Sequence, residues 1–466
     1  MAARAGTGNR TFSSRLVFVV VVLCAHPVFF FAQPPHVAQK IDTYLEPYVQ
    51  TGNFSGAVLV RQHGRTVFQK AYGFADRERQ IRNTKATRFH VASVSMQFTA
   101  AALLRLVDEG AISLDTHVAE FAPGVVGGDK ITIRDLLVER SGIPDINELT
   151  DYGDILQHHQ TPATLVSKIE GRPLLFEPGS KFLHEEHSAY NLLALIAEKK
   201  TGVPFSGAVD RLVFRRAKLS SSGVDDDSMG SAANMANGYE PEGVKGLKRS
   251  TAIHWSAKTG NASVYATVGD EAKLVDALFL GQLLSKSARE ALLDTSPRIG
   301  YGWFRGESKR FNETAYYMNG RAPGFASFVM YLPKEQTTVV VFSNIYSSAT
   351  TGIGNDIAAI ALGLKYAPFQ AASQASKGEI KLCGGSFRFG TDFYQPNAMV
   401  TLVVNGPELS LRWPSADISA LIPVGRDHFV DRAYWEEVEI ERGPTGCPSA
   451  LVYGHFRGNA ADNPAQ

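Results

Sequence analysis

Apolar residues recur at helical spacing in I41-D-T-Y-L-E-P-Y-V-Q50, which predicts a helix that packs on a sheet. The period then changes. F54-S-G-A-V-L-V-R61 and R65-T-V-F-Q-K-A-Y-G-F74 are β-rich runs separated by His63-Gly64, and they predict a hairpin. F89-H-V-A-S-V-S-M-Q-F-T-A-A-A-L-L-R-L-V-D-E-G110 predicts a short strand, then an apolar helix with a serine at its mouth and a stop at Gly110. I131-T-I-R-D-L-L-V-E-R-S-G-I-P-D145 predicts another helix, ended by Gly142 and Pro144. Residues 147–180 are polar and helical in pattern, consistent with a separate helical lobe. An irregular loop, F176-E-P-G-S-K-F-L-H-E-E-H-S-A-Y190, runs into the helix N191-L-L-A-L-I-A-E-K-K-T-G202. Glycine and small polar residues from Gly223 to Asn261 predict an extended surface excursion. A helix at Ala272–Leu284 follows, then strands at Ile299–Phe304, Ala315–Gly320, Phe325–Leu332 and Thr337–Asn344, then a closing helix at Gly354–Leu364. Strands at both ends with helices between imply a mainly antiparallel sheet over the serine helix, an α+β or α/β sandwich.

Q370-A-A-S-Q-A-S-K-G378 is small and polar and reads as a linker. Beyond it, short β runs recur: V400-T-L-V-V-N-G-P-E-L-S-L-R-W413 with an Asn405-Gly406 turn, H428-F-V430, W435-E-E-V-E-I-E441 and L451-V-Y-G-H-F456. They predict a small all-β, barrel-like domain. The implied organisation is a targeting segment at 1–32, a main domain at 36–367, a linker at 368–379, a β domain at 380–458 and a tail at 459–466.

Charge and cysteines add the compartment. Arg4, Arg10 and Arg15 precede the apolar run Leu16–Ala32, and residues 1–32 hold no acid. This is the pattern of a secretory signal. The run is broken by His26 and Pro27 and is marginal for a spanning helix, so the membrane enters only as an uncleaved anchor. Without those three arginines the chain has 44 basic and 46 acidic residues, a net of −2. That balance, with no basic run, gives no support for nucleic-acid binding. Cys24 belongs to the signal, and the remaining pair, Cys383 and Cys447, predicts a disulfide in an oxidising compartment, bridging the first and last strands of the β domain. The expected location is secreted or periplasmic. Asn53, Asn261 and Asn312 stand in N-x-S/T sequons.

Ser93 is the candidate nucleophile: an exposed hydroxyl beside unpaired helix N–H groups. A proton acceptor is wanted one turn later, and the chain has Met96 there. The residues around Ser93 resemble serine hydrolases related to class C β-lactamases. So do I131-T-I-R-D-L-L-V-E-R-S-G-I-P-D145, F176-E-P-G-S-K-F182, A236-N-G-Y239, Y301-G-W303 and the stretch A-P-G-F-A-S-F-V-M-Y-L-P from Ala322 to Pro333. That group includes penicillin-binding proteins, D-alanyl-D-alanine carboxypeptidases, D-aminopeptidases and esterases. The resemblance runs from about residue 40 to 365. It implies an α+β, β-lactamase/penicillin-binding-protein-like fold: an antiparallel sheet flanked by helices, plus a helical lobe. The β domain resembles the barrel-like appendage some members carry.

The family's chemistry uses three boxes, and this chain departs from each. In S-x-x-K, Ser93 matches and Met96 replaces the lysine. In Y-x-N, the tyrosine falls on His184 or Glu185 and the asparagine on Glu186 or His187. In K-T-G or H-x-G, M318-N-G320 keeps the glycine and loses the cation, while the family's H-T-S-G reads E139-R-S-G142. K258-T-G260 is literally the third box but precedes the strands that the box should join, so it is set aside. The resemblance implies an oxyanion hole from the N–H groups of Ser93 and Arg321, with Glu186, Asn319, Gly320 and Arg321 at the substrate. It requires no cofactor, and H184-E-E-H187 lacks the i, i+4 histidine spacing of the helical zinc motif.

Two readings follow. In the first, the protein is a catalytically impaired or inactive homologue whose cleft binds a peptide, a peptidoglycan fragment or a protein. In the alternative, it is an active esterase, amidase or peptidase in which His184 or His187 serves Ser93 as a rewired base and a neighbouring carboxylate orients it.

Overall fold

The computed structural model describes residues 35–182, 187–228, 234–281, 283–294, 296, 298–369 and 383–461, besides Gly6 and Gly8. A seven-stranded sheet runs in the order Ile299–Gly300, Trp303–Ser308, Glu313–Ala322, Phe325–Leu332, Thr337–Ser343, Gly56–Gln62 and Arg65–Tyr72, with every pairing antiparallel. The hairpin predicted around His63-Gly64 lies at one edge. Phe325–Leu332 and Thr337–Ser343 are buried at every position, because helices cover both faces of the sheet. Ile41 and Leu45 of the helix Pro35–Gln50 and Ile353 and Ile357 of Ala349–Ala361 pack on one face. On the other lie the helix Ser95–Asp108, which follows Ser93, and the helices His187–Thr201 and Val268–Phe279. The fold is the predicted α+β sandwich.

The C-terminal strands, Gly385–Arg388 through Phe456–Ala460, close into an eight-stranded barrel. Closure is made by hydrogen bonding of the first strand to the last, Phe387 opposite Ala460 and Arg388 opposite Asn459. The bridge Cys383–Cys447 forms, with 5.4 Å between Cα atoms, but not between first and last strands. It ties a position two residues before the first strand to the residue just before Pro448–Tyr453, the seventh.

Two other expectations are corrected. The helix predicted over 131–145 is only Ile133–Leu137, opened by a Thr132/Asp135 capping box; Glu139 at φ +54° turns the chain out of it. The segment read as a surface excursion is buried from Ser256 to Ser263. Its polar backbone is satisfied inside the protein, Gly260 O accepting from Thr99 Oγ1 at 2.6 Å and Thr259 O from Asn191 Nδ2 at 2.7 Å. Two of the three sequon asparagines, Asn53 and Asn261, are buried as well, and only Asn312 is exposed. No helix among the described residues is long and apolar enough to cross a membrane.

Candidate active site

Phe89–His90 pairs with Val264–Ala266, which also pairs with Gly223–Val224. The chain then turns sharply. Ala92 takes φ +50°, a left-handed conformation that costs a residue with a Cβ roughly 1–2 kcal/mol, and Ser93 follows within the single 3-10 turn Ala92–Val94. Its neighbours from Val91 to Leu104 are buried, and Ser93 alone in that run is partly exposed. Met96 is 1% exposed. Its thioether takes no proton, so the helix turn supplies no base.

Gly320 explains why the facing strand must approach here. Of the strand Glu313–Ala322, only Glu313–Tyr317 pairs with Trp303–Ser308, so among the described residues 318–322 have no strand partner on that side. A Cβ on Gly320 would stand 2.6 Å from Ser93 N and 3.0 Å from Ala92 Cβ, closer than real carbon contacts come. Only glycine lets the two backbones come this close.

A cavity of about 460 Å³ opens at this junction. Of the residues singled out from sequence, Ser93, His187, Asn319, Gly320 and Arg321 all line it. His184 and Glu186 lie outside the described residues. His187 opens its helix, and both its backbone N–H, at 2.8 Å, and its Nδ1, at 2.9 Å, meet Asp145 Oδ2. Burial pushes the Asp145 carboxyl up, but the bonds from His187 and from Asn147 N outweigh it and hold the group below the usual carboxylate range. It is therefore ionised at neutral pH. Asn147 Nδ2 also lies 3.0 Å from Nδ1 and 3.5 Å from Nε2, and in the tautomer that gives Nδ1–H to Asp145 the accepting nitrogen of the ring is Nε2.

The sequence reading missed the second polar pair. Lys258 of the set-aside K-T-G sequence lines the cavity too, and its Nζ donates to the Tyr152 phenol. The segment that carries it is wedged between two helices: Val264 N donates to Ser95 Oγ at 3.0 Å, and a Cβ on Gly260 (φ +89°) would meet Tyr190 O at 2.2 Å. Burial, then the Asp145 carboxylate, push the Tyr152 phenol well up; it stays protonated. The literal K-T-G was the available signal. It bears on the cleft through its lysine, although its backbone is not the strand of the third box. Glu139, which stands where the family has a histidine, also lines the cavity and is 1% exposed. No cluster of three metal-ligating side chains occurs among the described residues.

The Beta-lactamase family model matches residues 39–363. PbpX of Bacillus subtilis (strain 168) is 28% identical over 320 residues, 68% of this chain and 76% of that one. A penicillin binding protein from Bacillus halodurans shares the fold with a TM-score of 0.61 at 27% identity, over 69% of this chain and 98% of its own. An octameric penicillin-binding protein homologue from Pyrococcus abyssi, 19% identical with a TM-score of 0.64, covers 90% of this chain and 99% of its own, so the likeness in fold reaches the barrel. The serine turn, the glycine of the facing strand and the polar pairs beside them all fall within the matched residues: this chain belongs to the Beta-lactamase family, as a serine-hydrolase-like protein.

Proposed function

We propose that this protein is a secreted or periplasmic serine hydrolase of amide or ester bonds. Ser93 is its nucleophile, and groups from outside the helix turn replace the missing lysine. The observation that carries this reading is the His187–Asp145 pair on the cavity that Ser93 lines. Ser93 Oγ attacks the carbonyl carbon and its proton passes to His187 Nε2. The carbonyl oxygen gathers charge beside the backbone N–H groups of Ser93 and Arg321. His187 returns the proton to the leaving group, and water hydrolyses the acyl-enzyme by the reverse sequence. Lys258, held by Tyr152, supplies the positive charge that the third box otherwise brings.

The burial of Met96 favours a second reading, in which the cleft binds a peptide, a peptidoglycan fragment or a protein without turnover. A missing base costs about 10² to 10⁴ in rate. Intact-mass spectrometry after incubation with a fluorophosphonate separates the two. The hydrolase reading expects one adduct on the mature protein, none on Ser93→Ala, and slow labelling of His187→Ala. A folded, monodisperse protein that gains no mass leaves the binding reading.

A further inference from the structure

Three backbone segments that build the cleft meet outside it, at a group of aromatic rings. His90 stands three residues before Ser93, on the short strand Phe89–His90 that leads into the serine turn. Trp255 opens the 3-10 turn Trp255–Lys258, whose last residue is Lys258. Phe325 begins the strand Phe325–Leu332 and pairs with Ala322, at the end of the strand that carries Gly320 and Arg321. The His90 and Trp255 rings lie face to face, 3.6 Å between centroids and 6° from parallel. Phe325 closes the group with its ring at a steep angle, 5.1 Å from His90 and 5.9 Å from Trp255. The three rings line a second cavity, of about 280 Å³, and not the cleft.

The stack is anchored through the imidazole. His90 is 6% exposed, and its Nε2 lies 2.9 Å from Asp225 Oδ2; the nitrogen that faces a carboxylate carries the proton. Burial pushes the imidazole down, further than Asp225 raises it, so the ring is neutral at pH 7 and stacks as an uncharged aromatic. Trp255 is half-buried, and the imidazole is the flat surface against which its indole rests. A 3-10 turn of four residues holds little order by its own hydrogen bonds. Side chains must place it: Ser256 Oγ accepts from Gln160 N at 2.9 Å, and Trp255 rests on His90. At the far end Lys258 Nζ donates to the Tyr152 phenol, on the cleft that Ser93 lines. The strand before the serine and the turn that carries the lysine are thus joined through one ring contact.

We propose that His90 and Trp255 are positioning residues: their stack sets where Lys258 stands in the cleft relative to Ser93. A histidine and a carboxylate so near a serine resemble a base and its partner. Here, however, the imidazole is occupied by Asp225 and the indole, and it does not line the cleft. The inference rests on the reading in which Lys258 serves the reaction at Ser93. Its first test reads the lysine directly and needs no chemistry at the serine, so the two ideas fail separately.

Lys258 is 9% exposed, and its acetylation by acetic anhydride in the folded protein, read by peptide mass spectrometry, reports how it is held. His90→Ala, which leaves Trp255 in place, and Trp255→Ala should each speed that acetylation severalfold. Lys199, whose Nζ donates to Phe121 O at 2.6 Å, should keep the parent rate. Trp255→Phe, which retains an aromatic face, should recover most of the protection of Lys258. In fluorophosphonate labelling, Trp255→Ala should slow the parent by about tenfold, the scale of one lost aromatic pair, and slow Lys258→Met hardly at all. Three results overturn the proposal: unchanged Lys258 acetylation in His90→Ala, Lys199 and Lys258 speeded together, or Trp255→Ala slowing the parent and Lys258→Met by the same factor. The second marks the rings as ordinary packing. A parent protein that takes no label sinks the hydrolase reading alone, and the acetylation rates still decide what holds the lysine.

Discussion

Gly320→Ala places one methyl group where the structure has no room for it. The new carbon would lie 2.6 Å from Ser93 N, 2.9 Å from Ser327 Oγ and 3.0 Å from Ala92 Cβ. Ordinary contacts begin near 3.4 Å, so the strand and the serine turn must part by most of an ångström. Side-chain rotation gives little relief. The nearest atom is backbone, Ala92 is already left-handed, and Ser327 Oγ is tied to Val91 O at 2.6 Å. Overpacking of this kind costs about 1–3 kcal/mol. The effect on chemistry should be larger than the effect on stability, because a displacement near 1 Å costs about 10² in rate. The assay is the pseudo-first-order rate of fluorophosphonate labelling, beside a denaturant titration of the same protein. Gly352→Ala is the control: its Cβ would meet only Trp435 Cδ1, at 3.7 Å, inside the helix Ala349–Ala361. There alanine should be neutral or stabilising by up to about 1 kcal/mol. Unchanged labelling by Gly320→Ala would refute the reasoning, since the strand and the serine amide would then not form one site.

Lys258→Met should slow labelling by about 10², the scale of losing one fixed group that stabilises developing charge. Tyr152→Phe should act in the same direction, and equal rates in both variants and the parent would remove the pair from the mechanism. Glu271 is fully buried with neither oxygen partnered among the described residues, and burial, followed by the Asp270 carboxylate, pushes it up to about 8. It binds a proton in the folded protein that the unfolded chain has released, so stability should fall as pH rises from about 4.5 toward 8. Glu271→Gln should flatten that slope and gain up to a few kcal/mol at pH 8, as read by denaturant midpoints. Replacing Cys383 and Cys447 by serine opens a link spanning 64 positions and should cost about 2–4 kcal/mol. That cost should appear in barrel unfolding monitored by Trp413 fluorescence.

The sheet was legible because its central strands are buried on both faces and so read as unbroken apolar runs, V339-V-V-F342 among them. Ser93 was legible as a candidate because a serine at a helix mouth is a local pattern. Lys258 was not. Its approach to the cleft depends on Val264–Ala266 pairing with Phe89–His90, a contact between segments far apart in the chain. The composition around it also misled: glycine and small polar residues usually mark solvent-facing chain. Here they permit a backbone to thread between two helices, with Ser95, Thr99 and Asn191 answering its polar groups. Asp145 was missed for a similar reason, since its partner His187 comes from another element. The barrel's Tyr434, on the wall of the cavity, lay beyond reach because nothing in a run of short strands says which corner faces the neighbouring domain.

These misses share a cause that bears on function. The backbone of this site has three features: the left-handed residue before the serine, the glycine that lets a strand touch its amide, and the edge of that strand beyond Tyr317. On the proposed mechanism the side chains come from elsewhere: His187, paired with Asp145, is the base in place of a residue on the serine's own helix turn, and Lys258, paired with Tyr152, brings the cation from a buried loop. An oxyanion hole depends on backbone geometry and is lost by a shift of an ångström. A base or a cation depends on where one long side chain can arrive, and several elements around a cavity of about 460 Å³ can deliver one. A fold that keeps the first is under little constraint as to the source of the second. Motif spacing along one helix therefore says less about this cleft than the charges that converge on it. The decisive quantity is the reactivity of Ser93 itself, measured with His187 and Lys258 removed one at a time and then together. Rate losses well short of multiplying would show that the two groups serve one step.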